Sequence, residues 1–95
     1  MAVTLVQVVR IPASGVEAFQ RFESYVLPLM PKHGGKLERR LRGDEGRTEV
    51  HVISFTSREG LQAYMDDPER ARYVPLRDES GATSELIEVT DVGER

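Results

Sequence analysis

Val3-Thr4-Leu5-Val6-Gln7-Val8-Val9-Arg10-Ile11 is a run rich in Val, Leu and Ile whose apolar residues fall on both alternating faces. Val3, Leu5, Val9 and Ile11 share one parity; Val6 and Val8 hold the other. Successive side chains of a strand point to opposite faces, so a strand apolar on both is covered on both. A chain of 95 residues has room for one core and little to spare for a second covering layer. Either few residues do double duty, or another copy supplies the cover.

The elements that follow this strand predict a split arrangement. Ser14-Gly15-Val16-Glu17 has the spacing of a capping box, and Val16, Phe19, Phe22, Val26 and Met30 recur as one helical apolar stripe. Pro28 and Pro31 lack an N–H, which places a kink or restart near Leu27, and Gly34-Gly35 ends the segment in left-handed fashion. Lys36 to Arg42 alternates Leu37 and Leu41 with charge, Gly43-Asp44-Glu45-Gly46 is turn chemistry, and Glu49 to Phe55 is a returning strand. Thr56-Ser57 opens a helix carrying Leu61, Tyr64 and Met65. Asp67-Pro68 reads as a fresh N-cap with proline at the first helical position, continuing toward Arg77. Ser84 to Val92 closes as a strand, so residues 1–92 form one domain and 93–95 a tail. The order β-α-β-β-α-β predicts an α+β, ferredoxin-like antiparallel sheet with both helices on one face. Val6 and Val8 then lie on the uncovered face, and packing that face against a second copy is the simplest way to bury it.

Composition removes several classes of function. The absence of cysteine excludes disulfides, thiol catalysis and thiolate metal sites. A net charge of −3 gives no general electrostatic attraction to nucleic acid, and no apolar run approaches a membrane span. Met1-Ala2-Val3-Thr4 enters the first strand without a basic leader, from which a cytoplasmic location is expected. Eleven arginines against two lysines fit a GC-rich bacterial genome. Two histidines without metal-motif spacing predict no metal site.

Val52-Ile53-Ser54-Phe55-Thr56-Ser57, Asp67-Pro68-Glu69, Pro75-Leu76-Arg77, the Gly34-Gly35 pair and Arg40 together resemble the dimeric α+β barrel superfamily. Within it, they are similar to a small bacterial family of unknown function with a Phe-x-Ser and Pro-Leu-Arg pattern. Two positions depart from that family: Ser54 stands where it commonly has a carboxylate, and Arg70 where it has an aromatic. The resemblance implies a homodimer. Relatives in the superfamily include cofactor-free monooxygenases, haem-degrading enzymes, and cyclases and isomerases of natural-product pathways. It therefore implies a small organic ligand and no cofactor, with a non-catalytic binding dimer and a haem-handling protein as alternatives.

Candidate residues follow from parity and chemistry. Pairing Leu37 with Ile53 pairs Arg39 with His51 and Leu41 with Glu49, on the face that Phe55 assigns to the helices. The opposite face would hold Glu38, Arg40, Val50, Val52 and Ser54. There Arg40, beside the Ser54 hydroxyl and a carboxylate, is a candidate for holding an acidic or carbonyl-bearing ligand. His33, in register with the helical stripe, is a candidate base at a pocket rim, set against the commoner role of a C-terminal histidine favoured by the helix dipole. His51 reads as structural. Tyr73 and Arg77, four apart, could share a face and bind an anion or phenolate, with Tyr64 as a further contact. Finally, Lys36, Arg39, Arg40 and Arg42 make the second strand basic, while Glu85, Glu88 and Asp91 make the last one acidic. Opposite charge on these edges is expected to guide barrel closure, so reversing Arg40 and Arg42 to Glu would weaken the dimer.

Overall fold

The computed structural model describes residues 2–93, so of the expected tail only Gly93 falls within it. The chain runs β1 (Val3–Arg10), α1 (Val16–Val26), β2 (Gly35–Gly43), β3 (Thr48–Phe55), α2 (Arg58–Met65), α3 (Pro68–Ala71), α4 (Val74–Ser80) and β4 (Thr83–Val89). The four strands pair antiparallel in the order β2-β3-β1-β4, the ferredoxin-like α+β fold that the order of elements predicts.

Most of the local signals act as expected. Ser57 Oγ accepts from Gly60 N at the start of α2, and Asp67 Oδ1 accepts from Glu69 N at the start of α3. The prolines end α1 at Val26, after which Leu27–His33 continues as 3-10 helix and stops at Gly34 in the left-handed region (φ 78°). The capping box does not form. Ala13–Gly15 is a 3-10 turn, Gly15 takes the N-cap position of α1, and no side chain caps that helix. Gly15 is required for another reason: a Cβ there would lie 1.8 Å from the carbonyl oxygen of Ser80, so α4 meets α1 through bare backbone. Strand β4 ends at Val89, three residues short of the expected limit.

The helix-covered side of the sheet carries Val3, Leu5 and Val9 of β1 with Ile53 and Phe55 of β3, all buried. One apolar cluster joins Val3, Leu5, Ile53 and Phe55 to Met30 and Tyr64; a second joins Val9 and Ile11 to Phe19, Phe22 and Val26. On the other side no element among the described residues covers the sheet. Val6 pairs with Val52 and Ile87, and Val8 with Val50, forming an apolar patch across three strands that Leu41 extends onto β2.

One residue changes the expected register. Leu37 does face Ile53, but a bulge at Glu38 sets Arg39 opposite Val52, Arg40 opposite His51 and Arg42 opposite Glu49. An extra residue in one strand inverts every later side chain of that strand. Arg40 and Arg42 therefore lie on the helix side, and Arg39 and Leu41 take the places on the open face. Of the charges in the edge-charge expectation, Arg40, Arg42 and Glu88 are engaged within the chain. Arg40 and Arg42 pair with Glu23 and Glu49 of their own chain, and Glu88 pairs with Arg58, so these charges are not free to guide a second copy.

Candidate functional site

A cavity of about 190 Å³ lies between the two apolar clusters, bounded by the sheet on one side and by α1, α2, α3 and α4 on the other. Its walls are largely apolar, with Leu5, Phe22, Val26, Ile53 and Leu61 among them. Set into those walls are Gln7, Glu23, His51, Tyr64, Arg70, Arg77 and Ser84.

The polar floor arises from rows that cross the sheet. Strand pairing places Arg40, His51, Gln7 and Leu86 in one row, and Arg42, Glu49, Val9 and Ser84 in the next. Glu23 descends onto these rows from α1. The His51 ring is clamped from both sides: Nε2 lies 2.8 Å from Glu49 Oε1 and 3.1 Å from Glu23 Oε2, and Nδ1 lies 3.2 Å from Gln7 Oε1. Oxygen acceptors at both nitrogens are the setting of an imidazolium. Arg40 donates to Glu23 Oε1 through Nη2 (2.7 Å) and to Glu49 Oε1 through Nε (3.4 Å), and Arg42 Nε donates to Glu49 Oε2 (2.7 Å). Glu23, Glu49 and His51 are buried, whereas the two arginines lie at the rim, partly in water.

The environment pushes the two carboxylates apart. Burial raises Glu23, and the proximity of Glu49 adds to this, against hydrogen bonding from His51 and the field of Arg40. Burial also opposes charge on Glu49, but the neighbouring Glu23 carboxyl, which takes a shared proton in preference to it, and hydrogen bonds from His51 and Arg42 outweigh it and hold that carboxyl down to about 2. For His51, burial disfavours the cation, and the hydrogen bonds to Glu23 and Glu49 overcome it, raising the imidazole. The result is a fixed anion at Glu49 and, at the cavity wall, a more basic carboxylate beside a protonated ring. Glu23 Oε2 is buried and lacks a hydrogen bond of good geometry despite its closeness to His51. Each of Glu23, Glu49 and His51 presents one ligand atom within 4.8 Å of the others, a span suited to a metal ion. Arg40 and Arg42 already place positive charge on both carboxylates, so a divalent cation would have to displace them.

Of the residues singled out from sequence, Arg77 and Tyr64 line the cavity. Arg77 Nη2 donates to Ser84 Oγ (3.2 Å), and Tyr64 Oη donates to the Val26 carbonyl (3.2 Å), its phenol raised by burial. His33 does not reach the cavity. Its Nε2 binds Asp67 Oδ2 (2.8 Å), which Lys32 also approaches, so it ties the 3-10 segment to the cap of α3 and helps hold Asp67 well below the usual carboxylate range. Tyr73 stacks on Tyr25 at 4.1 Å rather than sharing a face with Arg77, because it sits at the N-cap of α4 and not within the helix. Arg40 stands behind Glu23 and Glu49, outside the cavity. Ser54 is on the open face, donating to Glu38 Oε2 (2.6 Å), so Arg40 and Ser54 do not meet.

The residues missed from sequence are Glu23, Glu49 and Gln7, together with His51, taken there as structural, and Arg70, noted only as a departure. Their signal is a polar residue at a core position. Glu23 is four after Phe19 and three before Val26, Gln7 lies between Leu5 and Val9, and Glu49 and His51 share parity with Ile53 and Phe55.

No family model and no curated protein matches the chain. Solved structures do. A Nitrosomonas europaea protein named for antibiotic-biosynthesis monooxygenase activity superposes with a TM-score of 0.79 at 8% identity, covering 98% of this chain and 92% of that one. SnoaB, a cofactor-independent oxygenase from Streptomyces nogalater, gives 0.70 at 18% identity, covering 97% and 94%. Rv0793 from Mycobacterium tuberculosis gives 0.67 at 14% identity, covering 99% and 100%. The chain has the fold of these proteins over nearly its whole length. No helix among the described residues is long and apolar enough to cross a membrane.

Proposed function

We propose that the chain is a cofactor-free enzyme that takes a proton from a small enolisable or phenolic ligand in this cavity, and that the resulting anion is oxidised by dioxygen. The observation that carries the reading is Glu23, a buried carboxylate among the residues lining the cavity, whose Oε2 lies 3.1 Å from His51 Nε2 without a hydrogen bond of good geometry. Arg40 holds the other oxygen of that carboxylate, and His51, fixed by Glu49 and Gln7, stands beside it. Burial makes Glu23 a better base than a solvated carboxylate, as a proton acceptor at neutral pH requires. Once the proton is on Glu23, the substrate carries an electron pair that it can give to dioxygen. A ring CH₂ and O₂ become C=O and water, four electrons passing from carbon to oxygen, so the substrate is the only reductant. The likeness to a cofactor-independent oxygenase supports this reaction class.

The same proposal includes a homodimer. Val6, Val8, Val50, Val52 and Ile87 face away from the helices with nothing above them in one chain, and a second copy packed on that face would bury them.

2-Tetralone, a two-ring ketone with acidic C–H bonds, tests the base directly. The protein is expected to accelerate exchange of those hydrogens in D₂O, followed by NMR, and Glu23→Gln to lose at least about a hundredfold of the acceleration. Exchange no faster with the protein than without it, or an unimpaired variant, would remove the enzymatic reading. Binding without exchange would leave the non-catalytic ligand-binding dimer.

A further inference from the structure

Among the described residues, two buried side-chain polar atoms lack hydrogen-bond partners, Glu23 Oε2 and Arg70 Nε, and both belong to residues lining the same cavity. The base reading accounts for the first but leaves the second unexplained. Arg70, on α3, lies with its guanidinium carbon 5.0 Å from the centre of the Tyr64 ring and 6.0 Å from that of Phe22, so aromatic faces surround it and no acid neutralises it. Asp67, which caps the same helix, is already engaged by Lys32, His33 and Glu69 N. Arg77, the other guanidinium of the lining, donates to the neutral Ser84 hydroxyl, and among the described residues neither arginine takes part in an ion pair. The cavity thus has unpaired positive charge from α3 and α4, and a proton-accepting oxygen from α1.

We infer that the natural ligand is a small aromatic carboxylate, its carboxylate held by Arg70 with Arg77 as the second donor, and its acidic O–H or C–H at Glu23. A neutral carbonyl would satisfy the Arg70 Nε donor but leave the cation uncompensated, whereas a carboxylate does both, in the planar geometry that a guanidinium matches. Size supports a small aromatic ligand. An apolar cavity of about 150 Å³ admits benzene, and about 190 Å³ leaves room for a carboxylate and a hydroxyl or short side chain. The ring would lie among Phe22, Val26, Leu5 and Ile53. The Glu23 end of this assignment rests on the proposed base, while the carboxylate end stands on the two arginines alone.

The test is calorimetric titration at pH 7 of 4-hydroxybenzoate against its neutral counterpart, 4-hydroxybenzamide. The acid is expected to bind at least tenfold more tightly than the amide. Arg70→Gln should remove most of that preference, leaving only what Arg77 supplies, while changing amide affinity less than about twofold, and Arg70→Lys, which keeps the charge but loses the Nε donor, should retain more of it. Equal affinity for acid and amide, no binding of either at millimolar concentration, or an undiminished preference in Arg70→Gln would overturn the assignment. Should Arg70→Gln fail to fold by circular dichroism, the acid-to-amide ratio of the unaltered protein and of Arg70→Lys decides. The two proposals fail separately. Loss of tetralone exchange in Glu23→Gln with no preference for the acid removes the carboxylate subsite and keeps the base; preference for the acid with exchange indifferent to Glu23 does the reverse.

Discussion

Glu49 never touches the cavity, yet its replacement by Gln should be among the costlier changes in the protein. Its carboxylate is fully buried and accepts from Arg40, Arg42 and His51 at 3.4, 2.7 and 2.8 Å. Removing one partner from a buried ion pair costs about 3–5 kcal/mol when the other is stranded. Here the two arginines are 38% and 43% exposed and can turn into water, so most of the penalty falls on His51, which is 3% exposed. About 2 kcal/mol remains, which for a domain of this size lowers Tm by roughly 8–16 °C. The pH dependence carries the diagnostic. Glu49 falls from an ordinary 4.5 to about 2, so its stabilisation is complete above pH 4.5 and is lost as pH falls toward 2. His51 is raised above 6.5, so its stabilisation is complete below pH 6.5 and is lost as pH rises through the folded value. The variant lacks the first contribution and weakens the second. Its deficit, measured by thermal unfolding followed by circular dichroism, should therefore be greatest at about pH 5–6 and narrow on both sides. A Tm change under about 2 °C at pH 6, or a deficit constant across the range, would refute the coupled cluster.

Three further expectations concern the frame around the site. Gly15→Ala drives a methyl into the Ser80 carbonyl and should lower Tm by at least about 10 °C; a neutral outcome would mean that α1 and α4 do not approach as described. Glu45, exposed and held at φ 56° in the turn after β2, should become about 0.5 kcal/mol more favourable as Gly, and urea unfolding that finds a loss would contradict the left-handed turn. Val52→Asp places charge in the centre of the open sheet face. Sedimentation should find the parent chain dimeric and the variant monomeric with its helices intact, whereas a monomeric parent or an equally tight variant dimer would remove the homodimer.

The order of elements is legible because its signals are short-range: Ser57 and Asp67 cap the helices they precede, the prolines after Val26 end α1, and Gly34 turns the chain. The cavity is half legible. Arg77 and Tyr64 lie on helical positions that the apolar pattern locates, and both line it. His33 and Tyr73 fail for a common reason, since each sits at the end of a helical segment, where the rotation assumed from spacing no longer holds. Asp67 and Tyr25, their actual partners, are 34 and 48 positions away in sequence. Glu23, Gln7 and His51 could have been noticed as polar residues at buried positions. Their partners could not, because these depend on how β2 registers with β3.

That register turns on Glu38. Without an extra residue there, Arg39 and Leu41 would face the helices and Arg40 and Arg42 would face away, leaving Glu23, Glu49 and His51 buried with one arginine opposite His51 and the apolar Leu41 opposite Glu49. Two carboxylates so close would then share a single guanidinium, and Glu49 would lose the hydrogen bond that Arg42 gives it. The bulge swaps an apolar residue and a misplaced arginine for two arginines that reach the carboxylates while keeping part of each guanidinium in water, so the cluster is neutralised at its rim rather than by burying further charge. It also turns Leu41 and Arg39 onto the open face beside Val50 and Val52. A single inserted residue on an edge strand thus does two things at once. It completes the acid–base floor of the cavity and extends the apolar face on the far side of the sheet, which ties the chemistry proposed inside one chain to the surface proposed to join two.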